Sequence, residues 1–187
     1  MSEQLKEFLL QSLQQEQAGV LVYQTALECV TNEELRREWT QCLAQTERHV
    51  EVLRRTCQSF GLDPDESVSG REIVQHVGES LVVAMKTALV DRMDPTAAEI
   101  VARECVVLAE TKDQAVWELL AECAAELDGE PAHLLTQACE KIVREEEEQR
   151  TRAKRWFKQL WRKYLNLKSS WPVPGLDQPF RRDLRKI

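Results

Sequence analysis

Where the helices must stop is the property of this sequence that most limits its fold. A helix predicted over residues 3–30 ends at Thr31-Asn32-Glu33-Glu34, read as a capping box in which Thr31 and Glu34 satisfy each other's backbone donors. A second helix runs to about residue 60 and stops at Gly61. The loop LDPDESVSG follows, and Ser69-Gly70-Arg71-Glu72, a second capping box, opens a shorter helix to about residue 89. Asp94-Pro95, an N-cap followed by proline at the first helical position, starts a helix to about residue 127. Asp128-Gly129-Glu130-Pro131 breaks it, and a last helix covers about 132–167. Neither strand alternation nor a solenoid-length repeat occurs.

The connection lengths dictate the topology. Tight turns at 31–32 and 128–131 make two antiparallel hairpins, and the stretch from Leu62 to Asp94 joins them as one long crossover. Residues 1–167 form the expected helical domain and residues 168–187 a basic, proline-containing tail. With 43% hydrophobic residues in 187, the chain can bury one real core, and 6 Gly and 6 Pro are too few for disorder. The start MSEQLKEF has neither a basic nor an apolar run, so no signal peptide is expected. The best apolar run, Leu81–Val90, is interrupted by Lys86 and short of a membrane span, so a cytoplasmic location is expected. Cys29, Cys42, Cys57, Cys105, Cys123 and Cys139 are far apart with no C-x-x-C pair, and are read as small buried hydrophobes.

Tracing each helix at about 100° per residue exposes polar residues inside apolar stripes. Glu16 lies at the centre of the first stripe, among Leu9, Leu13, Val20 and Tyr23. On the second helix Thr46 is central and His49 is at the edge, with Glu47 about a quarter turn away. The stripe Val101, Cys105, Leu108, Ala109, Val116, Leu119, Leu120 and Cys123 has Lys112 in its middle and Asp113 at its margin, with Glu104, Glu110 and Glu118 pointing elsewhere. Along Leu135, Cys139, Ile142, Ala153, Phe157 and Leu160, Glu146 and Gln149 intrude. All these residues sit at similar distances from the two tight turns, hence at one level. Buried unpaired charges cost several kcal/mol each, so their alignment marks a site.

Glu, Glu-x-x-His, Glu, Glu-x-x-His on four helices is the ligand pattern of ferritin-like di-iron carboxylate proteins. Over residues 1–167 the chain resembles that superfamily in helix lengths, crossover and inward polar positions. The resemblance implies an all-α ferritin-like four-helix bundle with an extra short helix in the crossover. The ligand match is partial: Glu16, His49 and Glu146 fit, while Thr46, Lys112 and Gln149 stand where Glu, Glu and His are expected. Tyr23 takes the place of the hydrogen-bonding tyrosine of some oxidases of the superfamily, or fills core.

Two carboxylates fall short of the roughly four that neutralise two divalent cations, and Lys112 would compete with metal. The leading expectation is a depleted, non-catalytic or weakly metal-binding member in which Lys112, Glu16, Glu146 and His49 form a buried charge network. Alternatively, the helix phase is off by one residue and Glu47, Glu110, Asp113 or Glu147 completes a working iron site, as in a di-iron oxidoreductase or iron-handling protein. A third arrangement holds one metal on Glu16, His49 and Glu146.

Charge is divided along the chain, −17 over residues 1–149 and +10 over 150–187. Residues 154–168 interleave basic and aromatic side chains, suited to an anionic membrane surface, to nucleic acid or to an acidic protein surface. The acidic body disfavours nucleic acid, and the apolar stripe runs on from Ile142, which favours packing of the aromatics. The tail can reach an acidic face of its own body or of a second copy, the latter giving a homodimer, and an interaction module acting through 154–187 is the third functional class.

Overall fold

The computed structural model describes residues 2–90 and 95–167, and among these it is all-helical, without a strand. The helices are α1 (Glu3–Cys29), α2 (Glu33–Ser59), α3 (Ser69–Val90), α4 (Pro95–Ala125) and α5 (Glu130–Tyr164). The expected cap at Asp94 and the 168–187 tail lie outside the described residues.

Local chemistry explains the boundaries. The cap of α2 is Asn32, not Thr31: its side chain accepts from the backbone of Glu34 and Leu35. Thr31 is drawn away by Glu99 of α4, which accepts from both its backbone N–H and its hydroxyl. Gly61 ends α2 at φ +74, with Leu62 N–H returning to Cys57 O at 2.9 Å, a Schellman closure that needs a left-handed residue. At the start of α3, Glu72 accepts from the Ser67 hydroxyl at 3.2 Å, and Ser69 is the first helical residue rather than the partner of Glu72 in a capping box.

α1 packs against α2, α3 and α4, and α5 closes the circuit against α2 and α4; α3 lies outside it, against α1 and α4. At 22 residues the crossover helix is far from short. It holds an 18-residue window of mean hydropathy 1.3, so it is long and apolar enough to cross a membrane by length and composition, although the longest unbroken apolar run is not. It approaches α1 closely at Gly78, where an added Cβ would stand 2.4 Å from Ala18 Cβ. Gly78→Ala should therefore destabilise by about 1–3 kcal/mol in denaturant titration, overriding the roughly 1 kcal/mol by which alanine favours a helix. An unchanged midpoint would mean that the two helices do not meet there.

The apolar core is in two parts. One gathers Tyr23, Ala26, Trp39, Met85, Ala102 and Trp156; the other gathers Leu9, Leu13, Leu53, Trp117, Leu120 and Leu135. Trp156, rather than Phe157, is the buried aromatic of the basic stretch, flanked by Arg103 and Arg155 over its ring. All six cysteines are free, and every one except Cys123 is buried.

Candidate metal centre

A polar layer lies between the two apolar clusters. On α2 the buried positions Leu35, Trp39, Cys42, Thr46, His49 and Leu53 alternate in steps of four and three. On α5 the run Leu135, Cys139, Ile142, Glu146, Gln149 and Ala153 does the same. This heptad spacing keeps one seam inward over many turns and puts His49, Thr46, Glu146 and Gln149 on it. Glu16 of α1 and Glu146 are each 1% exposed, as expected of inward carboxylates.

α4 departs from expectation at Leu108, Lys112 and Leu119, while Cys105, Ala109 and Leu120 of the expected stripe are buried. Its buried seam is Ala102, Val106, Ala109, Glu110, Asp113, Trp117 and Leu120, whereas Leu108 and Leu119 are 60% and 44% exposed. Lys112 is half-buried beside the seam, and burial lowers its pKa against the opposing pull of Asp113. Among the described residues it makes no ion pair with Glu16 or Glu146, so the expected Lys112-centred network does not form. Glu110 and Asp113, three residues apart on one helical face, occupy the layer instead, 1% and 3% exposed. Glu47 and Glu147 are exposed.

The side chains converge on His49. Its Nδ1 lies 2.9 Å from Glu146 Oε1 and 3.6 Å from Glu16 Oε2, yet makes no aligned hydrogen bond. Its Nε2 is 2.9 Å from Glu145 Oε2, which anchors the outer edge of the ring and turns Nδ1 toward the layer. Trp117, edge-on to the imidazole with ring centroids 5.9 Å apart, donates its indole N–H to Glu16 Oε1. Tyr23 donates its hydroxyl to Glu110 Oε1 at 2.5 Å and stands 3.5 Å from Gln149 Oε1, so it belongs to the site rather than to inert core. Thr46 bonds back to Cys42 O and faces Gly19; a Cβ on Gly19 would lie 3.2 Å from Thr46 Cγ2 and 3.6 Å from Asp113 Oδ2.

Four buried carboxylates around one imidazole set the electrostatics. Burial raises Glu110 and Asp113 well above the ordinary carboxyl range, and repulsion from Glu16 and Glu146 adds to it. Burial likewise carries Glu146 to about 7, with His49 opposing and Glu16 reinforcing. Burial would lower His49, but Glu146 and Glu16 together push it up to about 11. The Tyr23 phenol is raised first by burial and then by Glu110, so it keeps its proton and donates.

The donor set fits a divalent cation. Each carboxylate of the layer has one buried oxygen without a hydrogen bond: Glu16 Oε2, Glu110 Oε2, Asp113 Oδ1 and Glu146 Oε2; Gln149 Nε2 is bare as well. Ligands held about 2.0–2.2 Å from one ion stand about 3–4 Å from each other, as the imidazole nitrogen and its two carboxylate neighbours do here. One ligand atom each from Glu16, His49 and Glu146 falls within 4.8 Å of the others. Among the described residues, no Lys or Arg pairs with any of the four carboxylates. Comparison of the chain with family models, with curated proteins and with solved structures finds no match in any of the three.

Proposed function

We propose that the chain is a ferritin-like four-helix bundle, built from α1, α2, α4 and α5 with α3 as its crossover helix, and that it binds divalent metal, iron foremost, at the polar layer. Glu16, His49 and Glu146 would hold the first ion. Glu110 and Asp113 add the charge for a second, since four carboxylates balance two divalent cations. Such a pair would supply Lewis-acid or one-electron chemistry, while Glu145 fixes the imidazole and Tyr23 holds a proton against Glu110. The observation that carries this reading is the bare oxygen on each of four buried carboxylates. Leaving such atoms unsatisfied is expensive, and a cation repairs all of them at once. It is preferred to the depleted site expected from Lys112, because Glu110 and Asp113 lie buried in the layer where the missing acidic ligands would be needed.

Metal content decides the matter. Protein loaded with ferrous iron under anaerobic conditions and desalted should retain about two irons per chain by elemental analysis, and His49→Ala should retain markedly less. About one iron would confine binding to Glu16, His49 and Glu146 and remove Glu110 and Asp113 from the ligand set. None, with zinc and manganese also failing to bind, would leave the layer as a charge network and overturn the proposal.

A further inference from the structure

The outward face of α3 carries an apolar stripe that no described element covers. Ile73, Val77, Val83 and Val90 are 67%, 49%, 61% and 79% exposed. Ser80, Ala84 and Thr87, all exposed and small, lie between them, and no charged residue interrupts the run. The positions Ile73, His76, Ser80, Val83, Thr87 and Val90 step by three and four, the seam by which one helix packs along another. Read backwards, that series matches itself: 73 falls opposite 90, 76 opposite 87 and 80 opposite 83. The charges along one flank suit the same reversal. Glu72, Glu79 and Lys86 recur every seven residues, and reversal brings Glu79 within two residues of the level of Lys86 on the same flank, as flanking charges sit in an antiparallel helix pair. A parallel pairing would give these charges no opposite partner.

We propose that this face pairs two copies of the chain, with their α3 helices antiparallel across a twofold axis at the level of Leu81 and Val82. Glu79 of each copy then lies near the partner's Lys86. Self-complementarity of this kind is what an isologous contact requires: one patch serves both subunits, and each pair occurs twice. The contact differs from the one expected of the basic tail. Glu79 already accepts from Gln75 at 2.8 Å on the same helix, which extends its carboxylate along the flank. An anionic membrane surface is the poorer occupant, because Glu72 and Glu79 border the stripe and would be repelled by it.

Light scattering on the full chain at about 50 µM should give twice 21.6 kDa. Val83→Glu, on an exposed position, should yield monomers with an unchanged circular dichroism spectrum. Glu79→Lys should weaken dimerisation at least about tenfold, since symmetry counts the repulsion twice, and adding Lys86→Glu should restore it to within about threefold. The charge reversal keeps the test informative should Val83→Glu fail to fold. A monomeric parent, a dimer indifferent to all three variants, or one lost in Trp171→Ser/Phe180→Ser while Val83→Glu leaves it intact would overturn the proposal. So would a monomer whose vesicle binding is abolished by Val83→Glu.

Discussion

Raising the pH from about 5 to 8 should destabilise the metal-free protein and stabilise the loaded one. Glu146 titrates near 7 in the fold against an ordinary 4.5, so below 4.5 its burial brings no charge penalty. That penalty accumulates as pH climbs through 7, on the order of 3 kcal/mol for this group. Glu110 and Asp113 are shifted the same way. His49, raised to about 11, contributes fully below 6.5 and loses its contribution on the way to 11. All four groups therefore lower stability across this window. Below it, Glu99 and Glu145 act in the opposite sense, since both are held under the ordinary carboxyl value against the cost of burial, Glu99 by Thr31 and Arg103, Glu145 by His49. Stability of the metal-free form should thus peak near pH 5. Metal displaces the protons and removes the repulsion, so its benefit grows with pH. At pH 8, ferrous iron at about a hundred times its dissociation constant adds about 2.7 kcal/mol, or roughly 5–11 °C in Tm. Anaerobic calorimetry with and without chelator at pH 5 and 8 measures it. A chelated Tm that rises with pH would sink the electrostatic account.

The second large effect separates stability from binding. Glu110→Gln with Asp113→Asn should stabilise the metal-free protein at pH 8 by about 1–4 kcal/mol, the range seen when buried charge is replaced by neutral groups of similar shape. Each amide keeps a carbonyl oxygen, so the bonds from Tyr23 to position 110 and from Gln15 to position 113 survive. The same variant should lose metal affinity by more than the roughly 10–100-fold that follows removal of an outer-shell partner. His49→Ala also loses metal but leaves its carboxylate neighbours unopposed, so it should destabilise the metal-free form. Chemical denaturation of both variants under chelator distinguishes them. Destabilisation of the double amide variant would mean that Glu110 and Asp113 are paired with something other than metal.

Much of this was legible in the sequence because α2 and α5 bury large residues on one strict seam. Trp39, Leu53, Leu135 and Ile142 left little freedom in where His49, Thr46, Glu146 and Gln149 point. Glu16 was equally plain. α4 misled because the middle of its seam is made largely of alanines and acids. Ala102 and Ala124 are buried, and their small side chains weigh little beside Val101 and Cys123 one residue away, just as Leu108 outweighs its neighbour Ala109. Trp117 was the available signal: placing the large indole inward moves the phase by one and brings Glu110 and Asp113 with it. The role of Thr31 could not be read locally, because Glu99, sixty-eight positions along, competes for its donors. Nor could the contact at Gly78, which depends on where the crossover helix comes to rest on α1.

The polar layer has a consequence for how the molecule comes apart. It separates one apolar cluster around Trp39 and Trp156 from another around Leu53 and Trp117, and the packing between them in the metal-free state is a plane of four crowded carboxylates around one imidazole. Cooperativity must pass through the weakest stratum of the interior. Without metal, each half can fray with its own opening free energy, as a separate foldon. An ion bound in the plane would fasten four helices at one height and merge the halves into a single cooperative unit. Amide exchange would then slow on both sides of the layer together, far beyond the reach of the ion's own contacts.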